Sequence, residues 1–468
     1  MRLKENSVEG DGLQGEITKL KITNPLTYFP TNIFDAADSL QHLDLSGTGL
    51  SSLPEDFGRL KKLKIAFFSD CNFTVFPRQL ASCPELEMVA FRGNQMDQVP
   101  ENSLPPKLRW LILTNNRIDS LPKSIGRCEG LQKCMLAGNR LRCLPDEMAA
   151  CRKLGLLRLS ANRIRELPNW LFDLPELAFL SFAGNPCCSL AATWEDVRDT
   201  TNSAATTVTA TAATTTPFSS LPEVSWTDLH VHDLLGEGAS GIISKGLWKG
   251  SDRTRAVAIK LFKGDVTSDG TPADEMLACI TAGSHANLID PLGKITDHPD
   301  KEGLVMQLVS TCYGALGLPP SLQSCTRDCF SQEVSLTTWQ GLRILQGVAA
   351  AAEHLHDRGV AHGDIYAHNV LYDQAGHALL GDFGAASIYT NLSHKKIEQV
   401  EALAFAHLIE DVWRITKPNF DERELRVGVL LAALHRECSD PTGAKRPRFS
   451  EITRQLSIIN QQLAAATV

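Results

Sequence analysis

The sequence lacks the features that mark several broad classes of protein. No run of apolar residues approaches the roughly 18 that a helix needs to cross a bilayer. The first residues contain no apolar stretch of the kind found in a secretory signal. These absences predict a cytoplasmic protein without a membrane span.

A surplus of basic charge and cysteine pairs with metal-binding spacing are also missing. The chain has 46 Lys and Arg against 54 Asp and Glu, a net charge of −8, which is unlike a nucleic-acid-binding protein. Its cysteines number 13 and show no C-x-x-C spacing, so neither a zinc site nor a disulfide framework is indicated. We expect free, mostly buried thiols and no nucleic-acid partner.

The charge is distributed unevenly along the 468 residues. Residues 1–190 contain 23 Lys and Arg against 21 Asp and Glu, whereas the remainder contains 23 against 33. The chain therefore divides into a nearly neutral first part and an acidic second part. This length is enough for about two to four domains.

Leucine recurs through the first part at a nearly constant spacing of 22 or 23 residues. The repeating units open at Leu40, Leu63, Leu86, Leu108, Leu131, Leu154 and Leu177. Each approximates L-x-x-L-x-L-x-x-N-x-L-x-x-L-P, as the segment from Leu108 to Pro122 does. The pattern resembles the leucine-rich repeat family, in which no unit buries its apolar face alone and neighbours must stack. We expect an α/β solenoid over residues 1–190.

Positions three and five of each unit are expected to point outward from the concave face of that solenoid. Many are apolar, and a contiguous exposed apolar surface usually marks an interaction site. The candidate partner-binding residues are Ile65, Phe67, Met88, Trp110, Ile112, Met135, Leu156 and Phe179. We expect them to bind a protein, either a substrate or a regulator. The alternative is a register shifted by one residue, which would place some of these side chains in the core.

A change of composition separates the repeats from the rest of the chain. Residues 191–224 are rich in Thr and Ala and show no hydrophobic periodicity. Such a segment cannot bury enough apolar surface to offset its ordering entropy, so a flexible tether is predicted. After it, residues 225–462 alternate strand-like and helix-like patterns, which predicts a second domain of the α+β class.

This second domain carries several motifs in a fixed order. The glycine-rich segment Gly236-Glu-Gly-Ala-Ser-Gly241-Ile-Ile243 is followed by Val257-Ala-Ile-Lys260. His362-Gly-Asp364, Asn369 and Asp382-Phe-Gly384 come later. One glycine triplet is weak evidence, but the whole ordered set resembles the protein kinase family. The resemblance implies a bilobal fold.

The same resemblance implies ATP as the phosphoryl donor and Mg²⁺ as the cofactor. The residues that it assigns to ATP binding are Gly236, Gly238, Gly241, Ile243, Ala258, Lys260, Met306 and Val309. Glu275 is the candidate ion-pair partner of Lys260. Asp364 would orient the acceptor hydroxyl and take its proton, while Asn369 and Asp382 would supply the oxygen ligands that Mg²⁺ prefers.

Two replacements depart from the kinase pattern. Gly363 stands where these enzymes usually carry an arginine that reads a phosphorylated activation loop, so phosphorylation of Thr390 or Ser393 is not expected to switch the protein on. Tyr366 stands where Ser/Thr kinases carry a lysine that contacts the γ-phosphate. Both replacements predict an atypical enzyme.

The segment that normally docks a peptide substrate is also reduced. Only 16 residues separate Gly384 from Glu401, which resembles the start of a buried helix, and no A-P-E motif is present. Arg446 therefore lacks the usual glutamate partner, and Glu398 is the candidate substitute.

Three functions follow from these observations. The leading hypothesis is a Ser/Thr protein kinase whose repeats recruit its substrate or regulator. The alternatives are a pseudokinase scaffold and a small-molecule phosphotransferase.

Overall fold

The computed structural model describes residues 16–188, 221–238, 240–250, 253–263, 266–389, 394–417 and 421–464. Most of the predicted tether lies outside these ranges, as do Thr390 and Ser393. Two domains are described, the predicted solenoid and the predicted bilobal domain, and they pack against each other.

Residues 16–188 form a solenoid on a parallel sheet whose strands follow chain order. Within this range the strands are β1 (Lys19–Lys21), β2 (His42–Asp44), β3 (Ile65–Phe67), β4 (Met88–Ala90), β5 (Trp110–Ile112), β6 (Lys133–Met135), β7 (Leu156–Arg158) and β8 (Phe179–Ser181). The middle residue of each strand points into the core, as Leu111 and Leu157 do. All seven unit-opening leucines are fully buried, which confirms the predicted register.

A ladder of buried asparagines joins successive repeats. The side chain of Asn139 accepts a hydrogen bond from the backbone N–H of Ile118 at 3.1 Å. It also donates to the backbone oxygens of Leu113 and Leu136, both at 2.9 Å. Asn94, Asn116, Asn162 and Asn185 make equivalent bonds in their own units. Each asparagine therefore satisfies buried backbone groups of the preceding repeat, where the strand ends and the chain turns.

The smaller lobe of the second domain is built on a mixed sheet. Its elements are β9 (Glu223–Ser225), β10 (Leu229–Glu237), β11 (Gly241–Lys249), β12 (Thr254–Phe262), α1 (Pro272–Ala282), β13 (Pro291–Thr296) and β14 (Gly303–Gln307). The strand order in this sheet is β10-β11-β12-β14-β13-β9. Strand β9 pairs with β13, so the folded domain begins inside the range predicted for the tether. Thr271 caps α1 by accepting from the N–H of Asp274, and Pro272 opens its first turn.

The larger lobe is mainly helical. Its described elements are β15 (Gly314–Ala315), α2 (Thr338–Asp357), β16 (Val360–Ala361), β17 (Val370–Tyr372), β18 (Ala378–Leu380), β19 (Ser387–Ile388), α3 (His394–Ile415), α4 (Glu422–Cys438) and α5 (Phe449–Ala464). A capping box between Thr337 and Gln340 starts α2, whose apolar face forms the centre of the lobe. No helix in the described part of the chain is long and apolar enough to cross a membrane.

The concave face of the solenoid packs against the second domain. Met135, Leu156 and Phe179 share a hydrophobic cluster with residues of the larger lobe. Met88 and Trp110 form another cluster with Cys325. These five residues lie at the predicted strand positions but are buried, so the expectation of a contiguous exposed surface is wrong for them. The cause is occupation by the chain's own second domain.

The remaining three candidate partner-binding residues lie at the edge of this contact. Ile65, Phe67 and Ile112 are half-buried and pack around the cluster of Met88 and Trp110. The predicted register is therefore correct, and the alternative register shifted by one residue is excluded.

The asparagine ladder generates a stability prediction. Replacing Asn139 with Ala leaves buried backbone groups of two repeats without partners, and we expect the free energy of unfolding to fall by at least about 2 kcal/mol. Urea unfolding followed by circular dichroism measures this loss. Asn72→Ala is the matched control, because Asn72 is exposed and donates only to the backbone of Gly49. Equal losses in both variants would contradict a special role for the ladder.

Candidate functional site

A charged pair joins the sheet of the smaller lobe to its helix. Lys260 on β12 forms a buried ion pair with Glu275 on α1, as the sequence predicted. Burial disfavours the charged lysine, but the carboxylates of Glu275 and Asp382 outweigh it and raise the pKa of Lys260. Asp382 itself is exposed at the mouth of the cleft. The pair therefore holds the ammonium group of Lys260 opposite the carboxylate of Asp382 across the cleft.

The predicted nucleotide-binding residues line the same side of the cleft. Gly236 and Gly241 lie on the adjacent strands β10 and β11, with Gly238 between them. Ile243 pairs in register with Lys260. The other three predicted residues lie on and beside β14, since Ala258 pairs with Met306 on that strand and Val309 follows it. A Cβ at Gly241 would lie 2.7 Å from the oxygen of Leu261, so this close approach of two strands requires glycine.

The loop after β16 brings together the candidate catalytic groups of the larger lobe. Asn369 donates from Nδ2 to the backbone oxygen of Asp364 at 2.9 Å and to its carboxylate at 3.1 Å. These bonds direct the Oδ1 atom of Asn369 away from Asp364. An amide oxygen and the exposed carboxylate of Asp382 form an oxygen donor set, which fits the ligand preference of Mg²⁺.

Buried polar contacts fix this catalytic loop. Glu401 on α3 accepts from the backbone N–H of Gly363 at 2.5 Å and lies 2.8 Å from His356. His362 is fully buried and bonds the backbone oxygen of Gly381 at 2.9 Å, so it serves to hold this loop in place. The loop is therefore held from α3, from α2 and from the segment that carries Asp382.

The predicted partner of Arg446 is wrong. Glu398 accepts instead from Arg448 at 2.6 Å and from the backbone N–H of Phe449 at 2.7 Å, where it caps the start of α5. The guanidinium of Arg446 donates only to backbone oxygens among its described contacts. One of them belongs to Pro175 of the solenoid, at 2.7 Å. Without a glutamate to neutralise it, this arginine serves the contact between domains.

Sequence reasoning missed Arg158, the solenoid residue that reaches deepest into the site. It lies at the end of β7, and its side chain is only 3% exposed. Nη2 contacts the carboxylate of Asp364 at 2.5 Å, Nη1 donates to the backbone oxygen of Gly363 at 2.9 Å, and Nε contacts Asp269 at 2.7 Å. Although burial disfavours its charge, the carboxylates of Asp364 and Asp269 raise the pKa of Arg158. The one feature of the sequence that could have indicated this role is a basic residue at a concave-face position, where many of the repeats carry an apolar residue.

Tyr366, which replaces the lysine of Ser/Thr kinases, also meets the solenoid. Its ring stacks on Phe179 with centroids 3.8 Å apart and an interplanar angle of 9°. Burial, followed by the nearby charge of Asp364, raises the pKa of the Tyr366 hydroxyl well above its usual value. The residue therefore acts as an apolar contact between domains.

Comparison with known proteins agrees with the motifs and the geometry. A family model described as protein tyrosine and serine/threonine kinase matches residues 229–405. Two leucine-rich repeat models match residues 106–164 and 39–60. The chain combines leucine-rich repeats with a protein kinase domain. The matched part of this kinase domain contains the cleft, the catalytic loop and the first half of α3.

Individual relatives resemble only parts of the chain. The L-type lectin-domain containing receptor kinase V.7 of Arabidopsis thaliana is 33% identical over 33% of this chain and 23% of its own length. A probable serine/threonine-protein kinase of Dictyostelium discoideum is 26% identical over 36% of this chain and 17% of its own length. A solved leucine-rich repeat protein of Leptospira interrogans is 25% identical, with a TM-score of 0.34, and covers 36% of this chain and 43% of that protein. The chain thus spans about a fifth of the length of these curated kinases.

The contact between the repeats and the kinase domain generates a prediction about pH. His407 on α3 lies beside Phe179, with ring centroids 6.3 Å apart. Burial, helped by the nearby charges of Arg327, His435 and Arg446 and opposed by Glu410, lowers the pKa of His407 from 6.5 to about 3. The neutral ring therefore stabilises the folded chain above pH 6.5, and this contribution is lost as the pH falls.

Between pH 7 and pH 5 we expect wild type to lose about 2 kcal/mol of unfolding free energy that His407→Gln does not lose. Urea unfolding at the two pH values measures the difference. His230→Gln, a change at an exposed histidine, is the control and should follow wild type. A parallel pH dependence in His407→Gln and wild type would show that this ring is not the titrating group.

Proposed function

We propose that the chain is an ATP-dependent protein kinase that transfers the γ-phosphoryl group to Ser or Thr of a protein recruited by its repeats. The observation that carries this proposal is the convergence of five side chains in one cleft. Lys260 is paired with Glu275, Asp382 faces them, and Asp364 is held by Asn369. Those are the groups that phosphoryl transfer requires, since its catalysis consists mainly of positioning and charge stabilisation.

Each group has a defined part in the proposed reaction. Lys260, held by Glu275, neutralises the phosphates of ATP, and the glycines of β10 and β11 allow their backbone to approach them. Asp364 accepts a hydrogen bond from the acceptor hydroxyl and takes its proton as oxygen attacks the γ-phosphorus and the bond to ADP breaks. Asp382 and Asn369 would hold Mg²⁺, which neutralises developing charge on the phosphate oxygens.

The choice of Ser and Thr, and the recruiting role of the repeats, have separate support. Several relatives of the kinase domain carry serine/threonine-protein kinase in their names, among them TNNI3K of Mus musculus, 25% identical over 35% of this chain and 19% of its own length. Leucine-rich repeats commonly provide extended concave binding surfaces. Because the concave face around Trp110 packs on the chain's own kinase domain, a recruited protein would displace that domain or bind at the half-buried edge formed by Ile65 and Phe67.

A scaffold without catalysis is the second candidate function. It is favoured by one observation, the ion pair that engages the carboxylate of Asp364 with a residue of the repeats. A scaffold of this kind would use the kinase fold to bind nucleotide and signal through the docked repeats.

The proposed activity predicts loss of transfer on removal of either carboxylate. Asp364→Asn and Asp382→Asn should each lower Mg²⁺-dependent transfer of label from ATP to casein by at least about 100-fold, because the proton acceptor or the metal ligand is gone. Asp357→Asn, at the exposed end of α2, is the matched control and should keep wild-type activity. Transfer undiminished in Asp382→Asn would refute the assignment. Nucleotide-dependent thermal stabilisation without any transfer by wild type would instead support the scaffold.

A further inference from the structure

The solenoid covers the acceptor side of the kinase cleft. Arg158 engages one carboxylate oxygen of Asp364, and Asn369 engages the other. The side chain of Asp364 is left 18% exposed. An incoming hydroxyl must bond the same carboxylate, so the docked guanidinium competes with the acceptor for its base.

The donors of Arg158 are directed at protein groups. Nε, Nη1 and Nη2 bond Asp269, Gly363 and Asp364 respectively, and the side chain is almost completely buried. A cation that assists phosphoryl transfer has to present its N–H groups to the phosphate. This geometry favours a blocking residue over a catalytic one.

Contacts on either side of Arg158 lengthen the part of the catalytic loop that the solenoid covers. Phe179 lies over Tyr366, and the backbone N–H of Phe182 donates to the hydroxyl of Ser387 at 2.8 Å. The backbone oxygen of Leu180 approaches Gly363 so closely that a Cβ there would lie 3.0 Å from it. Because Ser387 belongs to the segment that follows Asp382, the solenoid occupies the side on which a protein substrate would dock.

The solenoid also bridges the two kinase lobes. Through Arg158 it binds Asp269, which precedes α1 in the smaller lobe, and Asp364 in the larger lobe. Ser181 adds a bond from its hydroxyl to the backbone oxygen of Asp269 at 3.3 Å. Kinases open and close the angle between their lobes during turnover, and a bridge between lobes restrains that motion.

The nucleotide side of the cleft stays open in the same arrangement. Asp382 is exposed, and so are Gly238 and much of β10, which border the cleft on the smaller lobe. The docked solenoid therefore obstructs the acceptor while leaving access for nucleotide.

The centre of the contact depends on opposite charges. Arg158 projects from the concave face to pair with Asp364 and Asp269, and Lys133 on the neighbouring strand lies over the ring of Trp110, 4.8 Å from its centroid. Burial, followed by repulsion from the charge of Arg158, lowers the pKa of Lys133. The two cations repel each other, and the carboxylates of Asp364 and Asp269 offset that repulsion. Reversing one charge here opposes docking directly.

From these contacts we infer that the leucine-rich repeats are an intramolecular inhibitor of the kinase domain, with Arg158 as the residue that blocks the catalytic aspartate. The inference rests on the proposed kinase function. Undocking the solenoid exposes Asp364 to a protein acceptor and leaves nucleotide binding unchanged.

The test uses the full-length chain with labelled ATP, Mg²⁺ and casein as acceptor. Arg158→Glu places a carboxylate against Asp364, and Asp269→Arg places a cation against Arg158 without altering the catalytic loop. Each should raise transfer at least about tenfold, because breaking a buried ion pair shifts an equilibrium by more than that factor. The affinity for nucleotide should stay at the wild-type value. Arg163→Glu, the same change at an exposed position of the same repeat, should behave as wild type.

Hydrogen exchange of residues 363–369 provides a readout that does not depend on activity. Exchange should accelerate in Arg158→Glu and Asp269→Arg but not in Arg163→Glu. Faster exchange with lowered or unchanged transfer would overturn the inhibitory role while leaving the kinase assignment intact. Unaltered exchange in both variants would overturn the claim that this ion pair holds the solenoid. Faster exchange with no transfer by wild type or any variant would refute the kinase activity itself, and the inhibition with it.

Discussion

A single guanidinium shared by two carboxylates from different lobes organises this molecule. Arg158 is buried where the solenoid, the loop before α1 and the catalytic loop meet. A buried charge is tolerated only when it is paired and hydrogen-bonded, and here every nitrogen of the guanidinium has an acceptor. The apolar contacts around it, such as Phe179 on Tyr366, exclude water and strengthen the pairing. Domain docking and access to Asp364 are therefore governed by the same contact.

This contact occupies the concave face of the solenoid, the surface on which a leucine-rich repeat protein usually binds its partners. The solenoid contributes Met135, Leu156 and Phe179 to the core of the larger lobe, and the kinase domain contributes Ile397 and Val400 to the core of the solenoid. Mixed cores of this kind resemble obligate interfaces more than transient ones. An external protein that uses the centre of the concave face must therefore displace the kinase domain. In the proposed kinase, this competition would link partner binding to catalysis.

Periodic and local features could be predicted from the sequence, whereas contacts between distant segments could not. The repeats fix their own register, because Leu108 and its equivalents must all enter one core. The pairing of Lys260 with Glu275 follows from motif order and helix position. By contrast, Arg158 and Asp364 are 206 residues apart, and no local pattern connects them. The wrong prediction that Glu398 pairs with Arg446 has the same cause, although these two residues lie closer together in the sequence.

That error shows what a motif leaves undetermined. Arg446 and Arg448 are two residues apart, and either could have paired with Glu398 on the basis of sequence alone. In the structure the carboxylate of Glu398 pairs with Arg448 and caps the start of α5. Arg446 instead donates to backbone oxygens, one of which belongs to Pro175. Of these contacts, the one with Pro175 depends on the position of the solenoid, which the kinase motifs do not encode.

The two departures from the kinase pattern acquire a physical explanation in the docked arrangement. Gly363 has a left-handed backbone with φ of +74°, and any side chain there would meet the oxygens of Ala385 and Leu180. An arginine at this position is opposed first by the kinase domain itself, because its Cβ would clash with the oxygen of Ala385, and second by the solenoid, where the oxygen of Leu180 would lie 3.0 Å away. A lysine in place of Tyr366 would bring a third cation toward Arg158 and Lys133 and would lose the stacked contact with Phe179. Both replacements therefore suit a catalytic loop that is covered by repeats, and neither removes a group that Lys260, Asp364, Asn369 and Asp382 need for phosphoryl transfer.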